Sequence, residues 1–298
     1  MLLVIINPVS GIGNSEKIYN NKIKLYLGNH DVYITNYKGH AIDLINDYNL
    51  ENINKIILIG GDGLIHEVIN GLVYSKIYNI PICIIPTGSG NGLAKSLNIN
   101  NIAEAVKCIY SNNTKVIDLY KILYRVSEKT EPIFNKRIEY SFLAQTWTMI
   151  SDIDIGTERL RWMGDIRFFF GILKFLLFNK SVQGELNYQS KDKDWNLVEG
   201  KFTLFCASNV SWLSSDFQII PNANINDKLI DIIYIVNYTM TFFERIKLLY
   251  YVLKGKHIEK CNFINHTKTS KYILKETALS EKENKQKKKQ QKQHKHKE

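Results

Sequence analysis

Runs of consecutive apolar residues in the first hundred positions predict buried β-strands. Residues 2–6, 56–59 and 82–85 consist of Leu, Ile and Val with one Cys, and a glycine-rich turn follows each run. Strands without polar alternation are typical of a parallel sheet that is covered on both faces. A segment compatible with a helix follows each turn. The repeated strand–turn–helix unit therefore predicts a doubly wound, mostly parallel sheet of the α/β class.

From about residue 118 the pattern changes to alternating apolar and polar positions. A long run around residues 158–178 predicts one helix in this part, and the amphipathic residues 242–254, which precede Gly255, predict another. Alternating segments that predict strands of a mainly antiparallel sheet lie at residues 140–143, 201–206 and 229–236.

These patterns divide the 298 residues into three regions. We predict an α/β domain over residues 1–117 and a mainly antiparallel, β-sandwich-like domain over residues 118–279. Residues 280–298 contain no apolar side chain from which to build a core, so we predict a disordered, Lys-rich tail.

The formal net charge of +10 is shared between that tail and the rest of the chain. Residues 281–298 contain eight Lys and three Glu, which leaves a net charge of only +5 for the other 280 residues. A modest excess over so long a body disfavours a nucleic-acid groove and favours a few cations directed at phosphates or an acidic surface. We predict no nucleic-acid partner, and we expect the tail to contact an anionic membrane.

The cysteines and the apolar runs bear on the cellular compartment. Cys83, Cys108, Cys206 and Cys261 are far apart and form no CxxC pair, so reduced thiols are favoured over disulfides or a zinc site. No window reaches the roughly 18 apolar residues that a membrane-spanning helix needs. The expectation is a cytoplasmic protein that associates peripherally with membranes.

The turn after the second apolar run, Gly60-Gly61-Asp62-Gly63, contains a candidate catalytic group. Glycines at a strand end let a phosphate approach the backbone, and the following helix offers free N–H groups and the positive end of its dipole. A carboxylate there would repel a phosphate unless it accepts a proton or contacts a metal ion. The alternative is a tight turn in which Asp62 is simply solvated.

The turn after the third run, residues 86–92 (PTGSGNG), is a second candidate phosphate loop. It is not a Walker A loop, because no Gly-Lys-Ser/Thr follows, and Leu93 occupies the last glycine position of the dinucleotide fingerprint. The first turn, residues 7–13, adds further glycines. Because the carboxyl ends of parallel strands meet at one edge of a sheet, we expect these three loops to converge on a polyphosphate.

The segments GGDGLIHEVINGL and PTGSGNGLAKSL together resemble the catalytic domain of the diacylglycerol and sphingosine kinase superfamily. Residues 151–168 are similar to the segment that distinguishes sphingosine kinases, and the resemblance covers roughly residues 2–275. It implies an ATP-dependent lipid kinase that phosphorylates the primary hydroxyl of a sphingoid base to its 1-phosphate, with Mg²⁺ arriving on the nucleotide.

The resemblance also implies roles for single residues. Asp62 matches the base that takes the proton of the lipid hydroxyl. Asp154 matches the carboxylate that pairs with the sphingoid ammonium, although Asp154 or its neighbour Asp152 is also a candidate helix cap. Positions that match the nucleotide site are Asn7, Thr35, Gly61, Gly63, Glu67, Gly88, Ser89, Arg161 and Arg167.

Apolar residues suggest where the lipid chain would lie. Residues 168–178 (FFFGILKFLLF) are a candidate wall of the acyl-chain pocket, and an ordinary core helix is the alternative. Trp147, Met149 and Ile150 are candidates for the same cavity. His40 and His66 resemble common family residues, but structural histidines are the favoured interpretation.

Departures from the family pattern keep other functions open. Ala144 stands where a hydroxyl often contacts the lipid head group, and Ile12 and Asn14 stand where lysines often approach the phosphates. The family's closing Asp-Gly-Glu segment has no counterpart after Leu274. The alternatives are a diacylglycerol or ceramide kinase, or a non-catalytic pseudokinase that binds lipid or nucleotide.

Overall fold

A computed structural model describes residues 1–125, 136–149, 176, 180–190 and 192–277. Several predicted features lie outside these residues. They are Ile150, Asp152, Asp154, Arg161, Arg167, nearly all of the helical run 158–178 and the tail.

The N-terminal half contains a four-stranded parallel sheet with the order β2-β1-β3-β4. The three predicted apolar runs form its strands β1, β3 and β4, and all but the edge residues of these strands are buried. Strand β2, which is more polar, lies at the edge of the sheet. The strands are β1 (Leu2–Ile6), β2 (His30–Ile34), β3 (Lys55–Gly60) and β4 (Ile82–Pro86).

Helices cover both faces of this sheet, which confirms the predicted doubly wound class. One core cluster joins Leu3, Ile5 and Leu58 to α2 and α3. The other joins Val4 and Ile59 to α5 and to the turns that follow α1. The helices are α1 (Ser15–Ile18), continued by a π turn (Tyr19–Ile23) and a 3₁₀ turn (Lys24–Tyr26), then α2 (His40–Asp47), α3 (Asp62–Tyr74), α4 (Gly92–Ser96) and α5 (Ile102–Tyr110).

A two-stranded hairpin, β5 (Tyr120–Arg125) with β6 (Lys136–Ser141), lies against α3. The buried Asn70 side chain holds it there: its Nδ2 donates to the Tyr140 carbonyl at 2.9 Å and its Oδ1 accepts from the Tyr140 N–H at 2.8 Å. The Asn70 side chain thus forms with the Tyr140 N–H and carbonyl the two hydrogen bonds that a neighbouring strand would otherwise form.

The C-terminal half contains a six-stranded antiparallel sheet, as the alternating pattern predicted. Its longest strand is β9, and β12 pairs with one edge of it while β8 and β7 share the other edge. The strands are β7 (Ala144–Thr148), β8 (Val182–Gln189), β9 (Trp195–Ser208), β12 (Ile230–Val236), β13 (Asn265–Thr269) and β14 (Tyr272–Glu276).

The remaining elements of this half are a small hairpin and two helices. Strands β10 (Trp212–Ser214) and β11 (Phe217–Gln218) form the hairpin. Helix α6 (Phe242–Leu253) packs against β11, and the short α7 (His257–Lys260) follows it. The predicted helix over residues 242–254 is therefore confirmed to within one residue.

One strand prediction was wrong. Residues 140–143 are not one strand, because β6 ends at Ser141 and β7 begins at Ala144. Between them the chain bends and Phe142, only 1% exposed, packs into the core cluster of the first sheet. Burial of this ring, rather than the local alternation of residues, determines where the strands end.

The proposed boundary between residues 117 and 118 remains a prediction. The backbone N–H of Asp118 donates to the Ile225 carbonyl at 2.7 Å, and its carboxylate accepts from the Lys228 N–H at 2.6 Å. Asp118 is thus attached to the C-terminal half, although the β5–β6 hairpin that follows it lies against α3.

Candidate active site

All four parallel strands end at the same edge of the sheet, and a candidate site residue follows each one. The register aligns Ile6 with Ile34 and with Ile59, and Gly60 with Pro86. Backbone hydrogen bonds continue this alignment past the strand ends: Asn7 N–H to Ile59 O at 3.0 Å, Thr35 N–H to Ile6 O at 2.8 Å and Thr87 N–H to Gly60 O at 3.0 Å.

The three glycine-rich loops converge, as predicted, and they touch through their backbones. A Cβ atom at Gly88 would lie 2.6 Å from Gly61 Cα, and one at Gly11 would lie 2.2 Å from the Thr87 carbonyl oxygen. Neither contact can be relieved by a side-chain rotation, because both partners are backbone atoms. Glycine at these positions therefore allows the three loops to form one continuous wall.

Asp62 lies at the junction of two loops and caps a helix across them. Its Oδ2 accepts the Gly92 N–H at 2.8 Å and its Oδ1 accepts the Leu93 N–H at 3.1 Å, both in the first turn of α4. Helix α4 receives no hydrogen bond from its own N-cap side chain, Asn91, whose φ is +53°. The carboxylate from α3 provides the acceptors that this helix start needs.

The environment of Asp62 changes its acidity. Burial raises the pKa of this carboxyl above its usual range, and the N–H groups of Gly92 and Leu93 oppose the rise. A carboxylate with a raised pKa holds a proton more readily at neutral pH, which suits a general base.

Glu67 has a similar structural role one turn further along α3. Its Oε1 accepts the Gly39 N–H at 2.9 Å and its Oε2 accepts the Ala41 N–H at 3.2 Å, at the start of α2. Helix α2 begins after Gly39, which has no side chain to cap it. The structure therefore places Glu67 at this edge of the sheet, as a cap for a neighbouring helix.

The other predicted nucleotide residues lie near the same edge of the sheet. Thr35 is buried and its hydroxyl donates to the Ile6 carbonyl at 3.3 Å, while Asn7 Oδ1 accepts the Val9 N–H at 3.1 Å. Gly63 is exposed, with no atom within 4 Å of the position of an added Cβ. Ser89 is half-buried in the loop after β4.

The sequence interpretation missed a hydroxyl pair beneath the loops. Ser15 Oγ and Thr87 Oγ1 lie 2.8 Å apart and are buried, although 72 positions separate them. Only the position of Ser15 at the start of α1 hints at such a role. The pair joins the base of the first loop to that of the third.

The β10–β11 hairpin of the C-terminal half contacts the loop after β4 and helix α4. A Cβ atom at Gly92 would lie 2.6 Å from the Trp212 carbonyl oxygen, and Asn91 forms an isolated antiparallel bridge with Ser214. The Trp212 N–H donates to Ser96 Oγ at 3.2 Å, and Lys95 Nζ lies 5.1 Å from the centroid of the Trp212 ring. The helix that Asp62 caps is therefore also in contact with the β10–β11 hairpin.

The structure separates two of the three residues predicted to line one lipid cavity. Trp147 packs on Phe202, in the cluster on one face of the antiparallel sheet. Met149 lies in the cluster on the other face with Leu204. Thr148 between them has a φ of +65°, which breaks the alternation of the strand and sends the two side chains to opposite sides.

Asp154, Arg161 and Arg167 lie outside the described residues, so the lipid head-group and phosphate contacts predicted for them stay predictions. The two histidines discussed above have structural partners. His40 Nδ1 accepts the Asn36 N–H at 3.0 Å, and His66 Nε2 lies 3.7 Å from Glu139 Oε2.

Within the described ranges, no group of three or more His, Cys, Asp and Glu side chains could hold a metal ion. The carboxylates nearest the loops, Asp62 and Glu67, are both hydrogen-bonded to backbone N–H groups. These side chains do not by themselves form a magnesium site.

A cavity of about 470 Å³ opens beside the loop after β4. None of the predicted nucleotide residues lines it. Its walls come from Pro86, from α4 and α5, and from the π turn, and Lys22 and Lys95 are among the residues that line it.

Comparison with known proteins agrees with this geometry. Residues 1–122 match the family described as the diacylglycerol kinase catalytic domain. Sphingosine kinase 2 of Arabidopsis thaliana is 25% identical over 95% of this chain and 66% of its own length. Sphingoid long chain base kinase 5 of Saccharomyces cerevisiae is 34% identical over 65% of this chain and 29% of its own length. The chain therefore spans less than two thirds of these relatives.

A crystal structure of a diacylglycerol kinase from Bacillus anthracis superimposes with a TM-score of 0.64 at 19% identity, covering 93% of this chain and 86% of that one. This likeness concerns the fold. The family match is limited to residues 1–122, which are similar to the diacylglycerol kinase catalytic domain. The chain is similar to relatives that are named sphingosine kinase and sphingoid long chain base kinase.

Proposed function

We propose that the protein is an ATP-dependent lipid kinase that phosphorylates the primary hydroxyl of a sphingoid base. The observation that carries the proposal is the position of Asp62, a partly buried carboxylate with a raised pKa where two glycine loops meet. The names of the relatives, sphingosine kinase and sphingoid long chain base kinase, support the substrate class.

The proposed reaction transfers the γ-phosphoryl group of ATP to the lipid. The lipid oxygen forms a bond to the γ-phosphorus, the bond from that phosphorus to the β–γ bridging oxygen breaks, and ADP leaves. Asp62 takes the hydroxyl proton. A carboxylate has about four lone-pair sites, and the N–H groups of Gly92 and Leu93 occupy two of them. Acceptor capacity therefore remains for this proton.

The glycine loops would hold the triphosphate. Backbone N–H groups approach an anion closely where no Cβ intervenes, and Gly61, Gly88 and Ser89 lie in the loops that provide them. Thr35 directly after β2, Glu67 within α3 and Asn7 directly after β1 would lie beside the nucleoside. Arg161 and Arg167 are proposed to bind the phosphates. Mg²⁺ would enter with the nucleotide and neutralise phosphate charge.

Asp154 is the proposed determinant of head-group selection. A sphingoid base carries an ammonium group that must stay paired when its chain leaves water, and a carboxylate provides that partner. Diacylglycerol has no amine and would gain nothing from it. Asp154→Ala should therefore lose phosphorylation of sphingosine and leave any activity on diacylglycerol unchanged.

The test is transfer of radiolabelled phosphate from ATP to a panel of sphingosine, ceramide and diacylglycerol, resolved by thin-layer chromatography. Sphingosine phosphate should be the main product, and Asp62→Asn should reduce its formation by about 10²- to 10⁴-fold with nucleotide binding retained. Turnover close to that of the wild type in Asp62→Asn would show that Asp62 is not the base.

A second candidate function is a non-catalytic sensor of lipid or nucleotide. The specific observation in its favour is that both oxygens of Asp62 already accept backbone N–H groups, as those of a purely structural cap would. A protein that binds Mg-ATP or sphingosine, but forms no phosphorylated lipid under any condition of the same panel, would favour this alternative.

We further propose a cytoplasmic protein that meets its substrate at the membrane surface. The four cysteines are unpaired, and Cys83, Cys206 and Cys261 are buried. In the part of the chain that the structure describes, no helix has the length and apolar character needed to cross a bilayer. The Lys-rich residues 281–298 would add electrostatic attraction to anionic lipid.

A further inference from the structure

Helix α6 has an apolar face that is directed away from the protein. Leu248 and Val252 are buried in the core cluster beneath the helix. On the other side, Phe243 is 80% exposed, Leu253 70% and Tyr250 56%. Phe242 and Ile246, both exposed as well, complete this surface, which we call the α6 face: Phe242, Phe243, Ile246, Tyr250 and Leu253.

The spacing of these residues makes the face continuous. At 3.6 residues per turn, the five side chains fall within an arc of about 100°. The buried Leu248 and Val252 lie on roughly the opposite side of the helix. The amphipathic pattern in the sequence thus combines one apolar stripe that fills the core with a second that is exposed to solvent. Scattered exposed apolar residues are ordinary, but a contiguous stripe marks a contact surface.

Basic residues border the α6 face. Lys247 and Lys254 follow the arc along one side, and Lys256 and Lys260 are exposed just beyond the end of the helix. The acidic Glu244 is turned toward the helix start, where it accepts the Thr241 N–H at 2.8 Å and the Tyr238 hydroxyl at 2.6 Å. Glu259 is the exposed acidic residue nearest to the lysines in the sequence.

This combination is the one expected of a helix that lies in a membrane interface. Such helices place Phe, Leu and similar residues in the acyl boundary and Lys or Arg beside anionic head groups. A core helix would not expose so many aromatic rings, and a protein-binding stripe would not need a cationic border.

The helix is also close to the candidate active site. It packs against β11, whose partner strand β10 lies against α4. The first turn of α4 donates two N–H groups to Asp62. One hairpin therefore connects α6 to the helix that Asp62 caps, so an anchor on α6 would hold Asp62 near the lipid surface.

We propose that the α6 face is a membrane-docking surface that inserts into the interface of bilayers containing anionic phospholipid. The proposal does not depend on kinase activity. It also differs from the attraction expected of residues 281–298, which is purely electrostatic, because the α6 face contributes apolar burial.

The test is co-sedimentation of the full chain with phosphatidylcholine vesicles with and without phosphatidylserine, in the absence of nucleotide and sphingoid lipid. Phe243→Gln combined with Leu253→Gln should weaken binding to the phosphatidylserine vesicles at least about tenfold, since two large apolar side chains no longer insert. Lys247→Gln should weaken it about fivefold at low salt and less at high salt.

Leu25→Gln is the matched control, because Leu25 is 82% exposed in the 3₁₀ turn after α1, far along the chain from α6. It should leave vesicle binding unchanged, and circular dichroism should show that all variants fold. Unchanged binding of the α6 double variant would overturn the proposal. So would a wild-type dimer that the double variant converts to monomer in vesicle-free sedimentation, because the face would then join two copies. A failure of the kinase assay would affect neither result.

Discussion

Asp62→Asn should uncouple the chemistry of Asp62 from its role in the fold, because asparagine has nearly the same shape and no negative charge. The change has two opposing effects on stability. Asparagine has one side-chain oxygen, so one of the two hydrogen bonds from Gly92 and Leu93 is lost, at a cost of about 0.5–1.5 kcal/mol. It also removes a partly buried charge, and partial burial is what raises the pKa of Asp62.

The direction of that pKa shift gives the sign of the second effect. A carboxyl whose pKa is higher in the folded protein than in the unfolded chain contributes stability below its ordinary value of 3.8. That contribution is lost as the pH rises through the folded-state pKa. At neutral pH the ionised Asp62 therefore lowers the free energy of unfolding, and a permanently neutral residue removes this cost.

We expect the two effects nearly to cancel. At neutral pH the free energy of unfolding of Asp62→Asn should be no more than about 1 kcal/mol below the wild-type value. A difference of about 1 kcal/mol corresponds to a Tm change of roughly 2–4 °C. Its decrease with rising pH should be smaller than that of the wild type. Turnover should nevertheless fall about 10²- to 10⁴-fold. Urea unfolding over a pH series, with phosphate transfer on the same samples, measures all three quantities.

Asn101→Ala provides the control for simple loss of a helix cap. Its side chain accepts the Glu104 N–H at 2.9 Å at the start of α5. The substitution should cost about 0.5–2 kcal/mol without changing the turnover or the pH slope near neutral pH. If Asp62→Asn instead loses more than about 3 kcal/mol, the reasoning is refuted. Asp62 would then be primarily a clamp between loops, and its loss of activity would say nothing about proton transfer.

Three further changes test other parts of the structure. Gly88→Ala places a Cβ 2.6 Å from Gly61 Cα, so the two loops must separate. The affinity for ATP, measured by calorimetry, should then fall at least about tenfold. Gly28→Ala is the control, because no atom lies within 4 Å of the added Cβ, and it should leave the affinity unchanged. Lys228→Gly should raise the free energy of unfolding, measured in urea, by about 1 kcal/mol. Lys228 is exposed and has a φ of +61°, a conformation that glycine adopts without strain. A variant less stable than the wild type would contradict this prediction. Burial lowers the pKa of His257, so the free energy of unfolding should fall as the pH drops below the ordinary histidine value of 6.5. His257→Gln should reduce this dependence on pH. If the free energy of unfolding changes equally with pH in both proteins, other groups cause the effect.

The N-terminal sheet was predictable because its signals are local. Strands β1, β3 and β4 are continuous apolar runs that end in glycine turns, and a parallel sheet brings such turns to one edge. The convergence of the loops followed from that rule alone. The prediction of a strand at residues 140–143 was wrong because the burial of Phe142 depends on a core built from residues far away in the chain.

The site was predictable in its members but not in their contacts. Asp62 and Glu67 could be selected from motif position, yet their hydrogen bonds reach residues about thirty positions away. One feature of the sequence is consistent with both sets of hydrogen bonds. The starts of α2 and α4 lack a capping side chain of their own, so each needs an acceptor from another part of the chain.

Helix α3 shows why residues of one motif need not share one function. Asp62 caps α4, Glu67 caps α2, Asn70 holds the backbone of Tyr140, and Gly71 lets Ile45 of α2 approach so closely that an added Cβ would lie 2.9 Å from its Cβ. Each position faces a different neighbour, so the segment from Gly60 to Leu72 assembles the first half of the fold around the loops. A substitution at Glu67 will therefore change the position of α2 before it changes any direct contact with ATP. The nucleotide affinity of a Glu67 variant therefore combines the effect of a displaced α2 with the effect of a lost contact to ATP. At Asp62 the two effects can be separated, because asparagine keeps the shape of the side chain and loses only its charge and one hydrogen-bond acceptor.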